Sequence, residues 1–151
     1  MNHSMLAAEL FLEGYNCAQA VAVAFCDVTG MDKEVTGRLA SSFGGGMGRM
    51  REVCGAVSGM LMVAGYLYGY SGAQDPGKME HYALVQELAG RFREEIGSII
   101  CREILKNPPS DPNPTPRTAE FYQTRPCARM VIQAARILDD YIAEHPPQFR
   151  A

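Results

Sequence analysis

Residues 53–70 read VCGAVSGMLMVAGYLYGY, a stretch without one charged side chain. Glycines recur as Gly55-x-x-x-Gly59 and Gly65-x-x-x-Gly69, a spacing that lets helices approach closely. The stretch sits at the lower length limit for a membrane span, and its glycines reduce its hydrophobicity. A helix wrapped by other helices is also apolar all round. A buried central helix, starting near Glu52, is therefore the preferred reading, and no membrane is expected.

Working outward, the flanking sequence is helical too. Ser4 to Glu13 forms a first helix, stopped by Gly14. Asn16 caps a second, in which Val21, Ala24, Phe25 and Val28 fall on one face before Gly30 ends it. Asp32 caps a third helix reaching about Ser42. Gly44-Gly45-Gly46-Met47-Gly48-Arg49 follows as a loop, because regular helix there carries a large entropic cost.

Beyond the turn-rich Ser71 to Gly77, a helix is predicted from Lys78 to Ile96. Gly97-Ser98 stops it, and Ile99 to Lys106 is a further turn or a continuation. Residues 107–119 form a Pro-rich surface loop, with five prolines between Asn107 and Arg117. The last helix starts at Pro126, a favoured first position, and repeats Val131, Ala134, Ala135, Leu138, Tyr141 and Ile142. No strand pattern or internal repeat is present. The fold class is all-α: a single domain over 1–151, a bundle of about five to seven helices with a Gly-rich and a Pro-rich loop.

Composition narrows the function. The chain is 47% hydrophobic and 21% charged, which describes globular protein rather than disorder. Its net charge of -3 is spread without a basic stripe, so nucleic acid is not an expected partner. Glu9, Glu13, Asn16 and Gln19 interrupt any signal-peptide core, so the expected setting is the cytosol. Cysteines there start out reduced, and an odd count of five fits a disulfide framework poorly.

No cysteine pair has the C-x-x-C spacing, so zinc-finger and thioredoxin signatures are absent. Position is more informative. Cys17 follows the cap Asn16, Cys54 follows the Gly loop, Cys101 lies three residues after Ser98, and Cys127 follows Pro126. All four fall at or beside a helix start, where free N–H groups and the helix dipole favour thiolate. Thiolates are the nucleophiles and the metal ligands. Arg102 and Arg125 push the same way if they face the sulfurs. Each of the four also lies on an apolar face and points inward. Cys26 sits near a helix end and reads as a small core hydrophobe. Plain packing of all five remains an open alternative, since free cysteine is commonly buried without chemistry.

The chain also resembles the redox-active family named C_GCAxxG_C_C for its spaced cysteines. The matching parts are Gly14-Tyr15-Asn16-Cys17-Ala18-Gln19-Ala20, the Gly44 to Gly48 loop leading into Cys54-Gly55-Ala56-Val57-Ser58-Gly59, Gly97-Ser98-Ile99-Ile100-Cys101-Arg102-Glu103, and Arg125-Pro126-Cys127. The similarity runs over about residues 14–141. It implies redox activity or cluster binding through Cys17, Cys54, Cys101 and Cys127, with Cys26 outside the pattern.

Other motifs carry less. Gly44 to Gly48 lacks the third glycine of a dinucleotide fingerprint and the G-K-[ST] ending of a phosphate loop. Gly44, Gly45, Gly46, Gly48 and Gly55 read instead as supporting backbone, allowing close approach and offering N–H groups to sulfur or an anion. His3, His81 and His145 have no metal-site spacing. Glu94-Glu95 and Asp139-Asp140 are adjacent pairs on different helix sides, read as solvated faces. The nine methionines read as core filler. No G-x-S-x-G elbow is present.

The expected function is electron transfer or redox sensing by four cysteines acting as one site, more a redox accessory than a substrate-specific enzyme. An iron–sulfur cluster comes first as cofactor, zinc second. The alternatives are a metal-free thiol/disulfide protein, and a partner-binding domain whose cysteines only pack. A redox partner protein or small electron carrier is implied, and a homodimer is a mild preference.

Overall fold

A computed structural model describes residues 2–148, and every element among them is helical or irregular. In chain order the helices are α1 (His3–Leu12), α2 (Cys17–Ala24), α3 (Cys26–Thr29) and α4 (Lys33–Ala40), then α5 (Gly44–Met47), a single turn in which Gly45 and Gly46 are left-handed, so the glycine loop is not regular helix. They continue as α6 (Gly55–Tyr68), α7 (Lys78–Ile96), α8 (Cys101–Ile104), α9 (Ala119–Thr124) and α10 (Cys127–Glu144). Six of these have eight residues or more. The fold is all-α, and among the described residues the only β feature is an isolated antiparallel bridge between Val53 and Ile100.

The most enclosed helix is α2 rather than the glycine-rich stretch expected at the centre. Seven of its eight residues are buried, and α1, α4, α6 and α10 all pack on it. Its side chains are mostly Ala and Val, so neighbours approach on every side. On α6, half of the fourteen residues are buried, and Tyr66 stands 57% exposed. The Gly55/Gly59 pair serves the α2–α6 crossing: a Cβ on Gly59 would come within 2.5 Å of the Ala18 carbonyl oxygen. Among the described residues no helix is long and apolar enough to cross a membrane.

Several boundaries follow directly from caps. Asn16 and Gln19 form a complete capping box, each side chain bonding the other's backbone N–H at 2.9 and 3.0 Å. Asp32 accepts from the Val35 N–H at 3.0 Å, and Gly30 and Gly97 end their helices in the left-handed region. Two features differ from expectation. The second helix breaks at Phe25, which is fully buried and stacks on His3 at 4.2 Å. A short helix, α9, lies inside what reads as a non-helical approach to Pro126; Thr118 caps it, so the Pro-rich segment ends there.

The core joins α2, α6, α7 and α10 through Val21, Phe25, Val57, Met60, Leu88, Phe92, Val131 and Leu138, all fully buried. His3 ties the rim. Its ring nitrogens meet Asp139 at 2.6 Å and Asp27 at 2.9 Å, and its backbone N–H donates to Asp139 at 3.0 Å. Asp139 is thus a tether for α1 rather than part of a solvated face.

Candidate functional site

Cys17 and Cys127 open α2 and α10, and Cys54 is the cap residue of α6. Cys101 opens the single turn α8. Cys54 and Cys101 are held by a backbone clip. The Cys54 N–H donates to Ile99 at 2.7 Å, the Cys101 N–H to Glu52 at 2.6 Å, and the Arg102 N–H to Arg51 at 3.1 Å. All four thiols line one cavity of about 300 Å³. Cys17, Cys54 and Cys101 are buried and Cys127 is half-buried.

Cys26 is not among the lining residues. It begins α3 instead of ending a long helix, and its sulfur packs 3.5 Å from the Thr36 hydroxyl. The structure thus brings the four sequence-matched cysteines together and leaves the fifth apart.

The glycine loop supplies part of the cavity's wall. Gly46 has φ 73° and sits where a Cβ would strike Glu52 N and Cys101 Cβ, within 2.6 and 2.8 Å. Gly44, Gly45, Gly48 and Gly55 line the cavity as well. The backbone remains left-handed after the glycines: Met47, Arg49 and Arg51 have φ of 66°, 68° and 63°. Each costs on the order of 1 kcal/mol for a residue with a Cβ. That cost turns two arginines toward the cavity, where both are lining residues.

Arginines that the sequence reading left aside complete the site. Arg51 is only 5% exposed; its Nη1 lies 3.7 Å from the Cys101 sulfur and its Nε donates to Pro109 O at 2.8 Å. Arg49 donates to the Thr115 hydroxyl at 2.9 Å. Arg117 donates to the carbonyls of Phe11 and Tyr15 and lies over the Phe11 ring at 4.3 Å. These contacts fold the Pro-rich segment over the cavity, with Pro112, Pro114 and Thr115 in its wall. Arg125 faces the cavity as expected. Arg102 does not; it pairs with Glu52 at 2.5 Å on the surface. The only early signal was the position of Arg49 and Arg51 directly after the glycines.

Burial decides the charge state of the metal-free thiols. Desolvation raises Cys17, although the N–H groups of Gly45 and Ala18 pull back. It raises Cys54 as well, with Cys17 adding to the rise and the N–H groups of Ala56 and Val57 opposing it. Cys127 is pushed up to about 12, first by burial, then by Cys17 and Cys101, with Arg125 and Arg117 opposing. The expectation that helix starts favour thiolate is therefore corrected for Cys17, Cys54 and Cys127: a partial dipole charge does not offset loss of water.

Residues 15–141 match the family model described as "Putative redox-active protein (C_GCAxxG_C_C)". The chain belongs to that family. No curated protein and no solved structure matches it. The C_GCAxxG_C_C match spans every cavity-lining cysteine, both clip segments and the Pro-rich segment.

Proposed function

We propose that the four cysteines work as one electron-transfer or redox-sensing centre, and that they hold an iron–sulfur cluster. The observation that carries this reading is the convergence of four thiols from four separate elements on one cavity, with Cys26 outside it. The residues fit such a group, since an all-cysteine donor set is the usual cluster ligation and amide N–H groups lie at the sulfurs. When bound, it would supply one-electron chemistry.

One observation favours a metal-bound centre over a metal-free one. The raised thiols make poor nucleophiles at neutral pH, which weighs against a metal-free disulfide cycle. Coordination removes the thiol proton outright.

The chain's own residues do the rest. Burial keeps water from the sulfurs, and Arg51 places a positive donor at Cys101. The centre exchanges electrons with a partner protein or a small carrier. It belongs in a reducing compartment such as the cytosol.

Anaerobic purification tests this. The expected product is coloured and contains iron with acid-labile sulfide. Cys17→Ser, Cys54→Ser, Cys101→Ser or Cys127→Ser each removes the colour, while Cys26→Ala keeps it and costs about 1 kcal/mol of stability. Stoichiometric zinc would replace the cluster with a structural metal. Absence of both metals, with the four thiols pairing on oxidation, would replace it with the disulfide cycle.

A further inference from the structure

We infer that the cavity binds a small oxyanion-bearing molecule, phosphate-like or carboxylate-like, through Arg49, Arg51 and Arg125 beside the four thiols. The chain as a whole has more acids than bases, 17 against 14. Yet four arginines line this cavity, and no Asp or Glu does among the described residues. Arg102, the neighbouring base outside it, has found Glu52. The cationic lining is therefore local rather than a reflection of composition.

Among the described residues, these guanidiniums form no ion pair, whereas Arg38, Arg91 and Arg102 do. Buried charges are normally paired, but among the described residues the Arg51 guanidinium hydrogen-bonds to the Pro109 carbonyl and the Cys101 thiol and to no carboxylate. Arg49 Nε is buried without a hydrogen-bond partner. The Arg125 guanidinium lies over the Phe121 ring at 5.5 Å, and only its backbone N–H is seen to donate, to Phe121 O at 2.9 Å, among the described residues. Arg117 adds charge, but its nitrogens are occupied by Phe11 and Tyr15. Asp111 attracts Arg49 from beyond ion-pair distance, while Arg51 and Arg125 repel it. The left-handed backbone at Arg49 and Arg51 holds this repulsive arrangement in place.

A planar guanidinium matches two oxygens of a carboxylate or phosphate, whereas the thiols offer no oxygen acceptor. A cavity of about 300 Å³ lies at the small end of ligand sites and limits the guest accordingly. Exposed Ser41, Gly48, Pro112 and Pro114 at its edge give it a mouth to solvent. The inference rests on the redox reading for its purpose, placing an anion beside the centre, but its binding is measured separately.

The test is calorimetric titration of the full-length, anaerobically isolated protein with inorganic phosphate and with malonate, ionic strength held constant with potassium chloride. Saturable binding of at least one is expected, and the preferred anion tells phosphate-like from carboxylate-like guests. Arg49→Gln and Arg125→Gln each weaken it by about tenfold or more, as loss of a charge-assisted contact requires. Arg91→Gln, whose parent arginine pairs with Glu87 on α7, leaves it unchanged. Neither anion binding, or equal affinity in all variants, overturns the inference. Anion binding in protein without iron or redox activity would sink the redox centre and leave this inference standing. Redox activity without anion binding would do the reverse.

Discussion

Cys127 shows at the scale of one residue how burial overrides a helix start. Its thiol opens α10, yet it rises from the ordinary 9.0 to about 12. In the unfolded chain it would ionise near the ordinary value. The neutral folded thiol therefore contributes stability that is complete below about pH 9 and is lost as pH climbs toward about 12. The urea midpoint of reduced, metal-free protein should fall between about pH 8 and about pH 10.5, and fall less steeply for Cys127→Ala. Tyr68 is also raised, to about 12 by burial, so the difference between the two proteins is the quantity to read. A wild-type slope no steeper than the variant's would mean that solvent reaches Cys127.

At the scale of elements, the start of α2 does two jobs. The Asn16–Gln19 box closes the helix end, and Asn16 Nδ2 donates to Ser41 O at 3.1 Å, fastening the entry to the glycine loop. Asn16→Ala should cost about 1 kcal/mol by chemical denaturation and loosen the loop around Cys17. Such caps were legible in the sequence because they are local: Asn16, Asp32, Gly30 and Gly97 mark their boundaries with their own side chains or φ. The break at Phe25 was not, because it depends on packing against His3. Nor was the role of the Pro-rich segment, which reads as surface until Arg49 and Arg51 reach Thr115 and Pro109. The four cysteines were legible as a set, through family resemblance and helix starts. Their protonation was not, since desolvation depends on tertiary enclosure.

Across the whole molecule, the centre depends on distant parts of the chain meeting. The 51–54 and 99–102 segments clip together, Arg117 pins the Pro-rich segment to the end of α1, and His3 joins α1 to Asp27 and Asp139. His3→Ala would leave those two carboxylates without their shared partner. It should lower stability by about 2 kcal/mol, seen as a lower urea midpoint, with the cavity chemistry retained. The claim that four thiols form one unit is tested most directly by site-resolved alkylation and mass spectrometry of anaerobic protein at about pH 10, where part of a raised thiol population ionises, before and after iron removal by a chelator. Cys17, Cys54, Cys101 and Cys127 should be protected together and gain reactivity in the same step, more slowly than a free thiol where burial holds the proton, while Cys26 stays unreactive until the chain is unfolded. Release of the four at separate steps, or of Cys26 with them, would contradict the account.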